Sequence, residues 1–92
     1  MTREQFTAAA RAEGYDEIVE REMPAGFRDP EHRHAFDARI LVTAGEFSIT
    51  MGGATQVYRA GETFSVPAGT PHAEAVGDAM LRYTVARRHA KS

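Results

Sequence analysis

The chain has 92 residues, which is enough for one domain with a single small core and too short for two. Its 11 Lys and Arg residues and 13 Asp and Glu residues give a formal net charge of −2, so the charge balance indicates no nucleic-acid surface and no affinity for an acidic membrane. Because cysteine is absent, disulfides, thiolate nucleophiles and cysteine-ligated zinc are excluded. We expect one domain over residues 1–92, in which any metal is bound by nitrogen or oxygen.

The N-terminal residues predict a short helix over about residues 3–13. Thr2 and Gln5 have the spacing of a capping box, alanines follow from Ala8, and Gly14 suits the position just after the helix. No run approaches the roughly 18 apolar residues that are needed to span a bilayer, and no apolar leader follows the first charges. We therefore expect a cytoplasmic protein that binds neither membrane nor nucleic acid.

From Tyr15 to about residue 87 the pattern changes to β-strands. Ile18, Val19 and Met23 in a charged stretch fit an edge strand that ends before residues 24–26, Pro-Ala-Gly. The segments that follow are RILVTAG, EFSITM, TQVYRAG, TFSVPAG, HAEAV and MLRYTVA. Short segments joined by Gly and Pro turns predict an antiparallel all-β barrel or sandwich rather than a βαβ fold.

Three histidines form the candidate metal site. His32 and His34 are two residues apart, so on an extended strand their side chains project from the same face. His72 follows the turn sequence PAGTP, which would fix the start of a strand and orient its first side chain. A third imidazole from another strand would complete a site of three nitrogen ligands, although a surface strand can also carry two solvated histidines.

Two stretches of the sequence resemble the two motifs of the cupin family, G-x5-H-x-H-x3,4-E-x6-G and G-x5-P-x-G-x2-H-x3-N. Eight of the ten motif positions match at the right spacing, namely Gly26, His32, His34 and Gly45 in the first motif and Gly61, Pro67, Gly69 and His72 in the second. The 15 residues between the motifs suit a single hairpin. The resemblance implies a jelly-roll-like barrel with a short N-terminal helix.

The same resemblance implies a function at the mouth of that barrel. His32, His34 and His72 would bind one divalent metal, and three imidazoles suit zinc, iron, nickel or copper. The metal would serve binding of a small molecule, or the chemistry of a dioxygenase or isomerase as in other cupins. The alternative is a non-catalytic module that binds a small molecule without metal, and no catalytic residue can be assigned from the sequence.

Two positions depart from the motifs, because Ala38 occupies the place of the glutamate and Val76 that of the asparagine. Ala38 should face inward with the histidines, so no carboxylate arrives there. Asp37 could replace it only if a bulge turned it inward, whereas Glu74 shares a face with His72 if that strand is regular. An otherwise carboxylate-free centre would favour an anionic ligand.

The remaining expectations concern the core, the tail and the assembly. Five residues are expected in the core and pocket wall, namely Phe36, Ile40, Phe47, Phe64 and Val66. The basic residues Arg87, Arg88 and Lys91 are expected in a solvated, frayed end, together with His89. We also expect a homodimer that pairs through the strand around Ile18 and Val19, because a chain of this size has a limited core.

Overall fold

The computed structural model describes residues 1–89, and its first element is the predicted helix. Helix α1 spans Arg3–Ala12, and Thr2 and Gln5 form the predicted capping box, in which each side chain accepts a hydrogen bond from the other residue's backbone N–H. Gly14 has a φ of 89°, a left-handed conformation that ends the helix. No helix within residues 1–89 is long and apolar enough to cross a membrane.

Within residues 1–89, eight strands follow the helix and form two antiparallel sheets, which confirms the predicted all-β class. One sheet has the order β1-β8-β3-β6 and the other has the order β2-β7-β4-β5. The strands are β1 (Glu17–Met23), β2 (Arg28–His32), β3 (Phe36–Ala44), β4 (Glu46–Met51), β5 (Ala54–Arg59), β6 (Thr63–Val66), β7 (His72–Val76) and β8 (Leu81–His89).

The main core lies between the two sheets and opens into the site at one end. Every second residue of β3 and β8 points into this core, such as Ile40 and Val42 on β3 and Tyr83 and Val85 on β8. The predicted wall residues contribute to it as expected, with Phe36 only partly buried. A second cluster lies beneath α1, where Phe6 and Ala10 pack against the opposite face of the first sheet.

The β4–β5 hairpin and the edge strand β2 belong to the sheet that carries His32 and His72. The hairpin between β4 and β5 is the one predicted between the two motifs. Strand β2 contains Pro30, and proline is tolerated there because β2 is an edge strand. A register shift between Asp29 and His32 then aligns His32 directly with His72 of β7.

The predicted fraying is wrong for Arg87 and Arg88, which belong to β8 together with His89, whereas the side chains of Arg88 and His89 are exposed to solvent as expected. Each of the three has an acidic partner on a neighbouring element: Glu17 accepts from Arg87 and pairs with His89, and Asp37 accepts from Arg88. These cross-strand ion pairs explain why a charged sequence continues the strand. Lys91 lies outside the described residues.

Candidate metal centre

His32 and His72 are placed by strand pairing. His32 is the last residue of β2, His72 is the first residue of β7, and the two are register partners with ring centroids 4.3 Å apart. The Gly-Pro turn before β7 therefore does what the sequence predicted, since it starts the strand at His72. His72 is almost fully buried and His32 is half-buried.

His34 reaches the same site from a different kind of structure. The prediction of an extended strand carrying both His32 and His34 is wrong, because β2 ends at His32 and His34 lies in the connection to β3. Its carbonyl accepts a 2.8 Å hydrogen bond from the N–H of Gly69, whose φ of 78° belongs to the turn before β7. Its ring stacks on Phe36 with centroids 4.7 Å apart. Loop and strand thus converge on one site.

Glu74 is the carboxylate that joins the histidines. It lies two residues after His72 on β7, on the same face, as the sequence suggested for a regular strand. Its Oε1 is 3.3 Å from Nε2 of His32 and 3.3 Å from Nε2 of His72. One ligand atom from each of the four residues, His34 included, lies within 4.8 Å of the others.

This donor set fits a divalent metal. Opposite ligands of a metal with bonds near 2.1 Å stand about 4.2 Å apart, so a small inward movement of the four side chains would bring every donor into bonding distance. Three imidazole nitrogens and one carboxylate oxygen suit zinc, iron, nickel, copper or manganese. The four residues are therefore able to hold one ion.

Backbone carbonyls determine which imidazole nitrogens face the centre. Nδ1 of His32 lies 2.8 Å from the carbonyl oxygen of Pro30, and Nδ1 of His72 lies 3.0 Å from that of Thr70. A carbonyl oxygen only accepts, so in the neutral imidazole each Nδ1 carries the proton and Nε2 presents its lone pair. Two lone pairs then face the anionic oxygen of Glu74, an arrangement that a cation between them stabilises.

The environment also keeps His34 ready to bind metal. Burial lowers the pKa of His34 below its usual 6.5, and the neighbouring imidazoles of His32 and His72 lower it further when they are charged. His34 is therefore neutral near pH 7, which is the form that binds metal.

Asp37, the other acid considered from the sequence, does not face this centre. Its Oδ1 accepts a 2.8 Å hydrogen bond from the N–H of Ala68, and its Oδ2 lies 3.0 Å from Nη2 of Arg88. These contacts lower the pKa of Asp37, the N–H of Ala68 having the larger effect. No bulge turns it inward, because its neighbour Ala38 keeps the regular register of β3 and is buried in the core.

A cavity of about 130 Å³ lies against the four candidate ligands. Its wall is largely apolar and includes Phe36, Ile40 and Phe64, as predicted for the pocket wall. Tyr83 and Arg87 of β8 also line it, and neither had been assigned a role from the sequence. The signal that places them is the two-residue period of β8, in which residues 81, 83, 85 and 87 share the inner face.

A two-sheet antiparallel fold with three histidines at one end of its core defines a cupin-type domain. A family profile described as "Cupin domain" matches residues 19–86, which is well over half of the chain. The chain belongs to the cupin family. The comparison with curated proteins gives no match.

Solved structures with the same fold include proteins of different kinds. DMSP lyase DddQ from Ruegeria pomeroyi is 29% identical with a TM-score of 0.70, over 77% of this chain and 36% of that one. The Cnp3 cupin domain of Schizosaccharomyces pombe is 20% identical with a TM-score of 0.72, over 79% of this chain and 52% of that one. KdgF from Halomonas is 21% identical with a TM-score of 0.64, over 78% of this chain and 68% of that one. The chain thus spans about half or less of the first two.

Proposed function

We propose that this cupin binds one divalent metal through His32, His34, His72 and Glu74 and uses it to bind a small anionic molecule in the adjacent cavity. The observation that carries the proposal is the convergence of four ligand atoms within 4.8 Å, in side chains that come from two strands and a loop. Histidines that are merely solvated on the surface are not expected to gather around a single carboxylate.

The protein's own groups prepare this site in specific ways. The carbonyls of Pro30 and Thr70 hold two imidazoles in the tautomer that presents Nε2, and the ring of Phe36 supports the third imidazole. A bound divalent ion would supply Lewis acidity to an oxygen of the ligand. The largely apolar wall would lower the local dielectric around that ligand and so strengthen its electrostatic contacts.

The formal charge of the centre favours an anion. A divalent ion with three neutral imidazoles and one carboxylate keeps a charge of about +1, and the Arg87 guanidinium lines the same cavity. Glu74 thus reduces the charge of +2 that a site of histidines alone would keep, without cancelling it. We infer an anionic ligand for this reason.

A catalytic site and a binding site remain two distinct forms of this function. The similar structures include one named as a lyase and one named only as a cupin domain, so the fold serves more than one role. Within residues 1–89, the carboxyl group nearest the imidazoles is Glu74, which a bound metal would engage as a ligand. That arrangement favours metal-assisted binding, with any chemistry supplied by the metal.

Elemental analysis tests the proposal directly. Protein purified without a histidine tag and incubated with zinc, iron, nickel or copper salts should retain about one metal ion per chain after dialysis. Metal contents well below stoichiometry with all four salts would refute the metal site and favour the metal-free binding module.

A further inference from the structure

We propose that Arg87 is the anchor for a carboxylate of the ligand, and that the ligand is a small carboxylic acid with a second oxygen donor for the metal. This inference rests on the proposed function and specifies its substrate class. The second oxygen would be a hydroxyl, keto or enol oxygen next to the carboxylate.

The guanidinium of Arg87 is only partly used by the protein. Nη1 donates a 2.7 Å hydrogen bond to Glu17, and this is its one side-chain hydrogen bond within residues 1–89. Nε is shielded from solvent and has no hydrogen-bond acceptor there. Buried N–H groups of a charged side chain nearly always find an acceptor, so an unpartnered Nε beside a cavity calls for an explanation.

The free edge of this guanidinium has the chemistry of a carboxylate receptor. With Glu17 at Nη1, Nη2 remains as the donor that a carboxylate oxygen can reach, and a small side-chain movement would expose the adjacent Nε, so that two neighbouring N–H groups match the two oxygens of a carboxylate. Arg87 also lies over the ring of Phe36, with its Cζ 5.2 Å from the ring centroid. The guanidinium is therefore positioned beside the cavity wall.

The position of Arg87 links it to the metal centre. Phe36 stacks on His34 on one side and contacts Arg87 as well, so the guanidinium and the imidazole are both neighbours of one ring. Arg87 and all four candidate ligands line the same cavity. A single small molecule can therefore contact the metal ligand sphere and Arg87 together.

The residue opposite Arg87 leaves room for the ligand. Ala38 is the register partner of Arg87 across β3 and β8, and it holds the position where the cupin motif has glutamate. A glutamate there would stand beside the guanidinium and could pair with it, whereas alanine leaves the space open. The missing side-chain carboxylate is thus replaced, in this inference, by a carboxylate of the ligand.

The volume of the cavity sets the scale of the part of the ligand that it holds. A dry cavity of about 150 Å³ accommodates a benzene molecule, so ~130 Å³ corresponds to roughly six non-hydrogen atoms in this cavity, which is open to solvent. A keto or hydroxy acid of three carbons has that size. Pyruvate is therefore a suitable probe, and its amide, pyruvamide, has the same shape without the charge.

The test measures pyruvate and pyruvamide binding by calorimetry to nickel-loaded protein, with nickel affinity measured separately on the metal-free protein. We expect pyruvate to bind and pyruvamide to bind at least about tenfold more weakly, because a charge-assisted pair at Arg87 is lost. This comparison needs no variant and is independent of any folding defect. Absent pyruvate binding, or equal binding of the two probes, would overturn the inference.

Variants then locate the effect. Arg87→Gln should weaken pyruvate binding by about tenfold to a hundredfold and leave nickel affinity within about threefold, and Arg87→Lys should fall between it and the wild type. Arg82→Gln is the matched control, because Arg82 lies on the same strand but is exposed, pairs with Glu22 and does not line the cavity, and it should change pyruvate binding by less than about threefold. Equal losses of pyruvate affinity in Arg87→Gln and Arg82→Gln would show that only the net charge of the protein matters and would refute the anchor.

The outcomes also separate this inference from the proposed function. One outcome is that the wild type and Arg87→Gln both bind nickel and have the same affinity for pyruvate. This outcome refutes only the anchor. Failure of nickel to bind refutes the proposed metal site, and pyruvate binding that still depended on Arg87 would support the anchor as a feature of the metal-free pocket.

Discussion

Two regions of the molecule place a carboxylate close to the histidine motifs and give it opposite roles. On the inner face of β7, the half-buried Glu74 faces the imidazoles of His32 and His72. On the outer side of β3, Asp37 is held by the N–H of Ala68 and the guanidinium of Arg88. The surroundings, and not the residue type, thus decide which acid is available to a metal. Asp37 contacts groups of the protein itself, whereas Glu74 faces the proposed metal site.

The largest effect should come from removing a buried imidazole of the inner region. We expect His72→Ala to weaken zinc or nickel binding by more than about a hundredfold, since loss of a direct ligand exceeds the ~10–100-fold cost of losing an outer partner. His89→Ala is the control, because this fourth histidine pairs with Glu17 outside the cluster. Metal titrations of both variants measure the difference, and equal affinities would remove His72 from the site.

A pair of substitutions tests the two carboxylates directly. Glu74→Gln should weaken metal binding by about tenfold to a hundredfold, because the neutral amide is a poorer ligand and lacks the negative charge. Asp37→Asn makes the same chemical change on the outer face and should leave metal affinity unchanged. If the two variants lost affinity equally, the assignment of separate roles to these acids would be wrong.

Ala38→Glu puts a third carboxylate between the two regions. Its side chain would enter the cavity beside Arg87, so it should weaken binding of pyruvate by roughly tenfold and raise the affinity for manganese relative to zinc. Calorimetry on the wild type and the variant provides both values. Unchanged carboxylate binding would show that the ligand does not occupy the space above Ala38.

The smallest effect concerns the outer carboxylate and pH. The lowered pKa of Asp37 means that its ionised form stabilises the folded state above its unfolded value of 3.8, and this stabilisation is lost as pH falls through the lower folded value. The Tm of Asp37→Asn should therefore be slightly below that of the wild type at pH 7, and the two should converge below pH 3.8. A Tm difference that persisted at lower pH would point to a cause other than this ionisation.

Much of the fold could be predicted from the sequence because it depends on local signals. The capping box of Thr2, the glycine turns and the short alternating segments define the helix and most strands without knowledge of the partners. The candidate histidine ligands follow from motif spacing. The end of β8 could not be predicted locally, because Arg87 and Arg88 join the strand through ion pairs with residues far along the chain.

The choice of carboxylate and the role of Arg87 depend on register. Glu74 contacts both His32 and His72 because a register shift in β2 aligns these two histidines. No local sequence pattern predicts this shift. The expected homodimer stays a prediction. Strand β1, which carries Ile18 and Val19, is an edge strand, so its backbone is available for pairing with a second chain. Light scattering at micromolar concentration measures it, and a monomer would contradict it.

The most direct test of the metal centre is X-ray absorption at the zinc edge on zinc-loaded protein. The account predicts a first shell of nitrogen and oxygen only, with the scattering of three imidazoles, and one oxygen fewer or a longer oxygen distance in Glu74→Gln. The spectrum of Asp37→Asn should match the wild type. A wild-type spectrum with two imidazoles or fewer would contradict the convergence of His32, His34 and His72 on one ion.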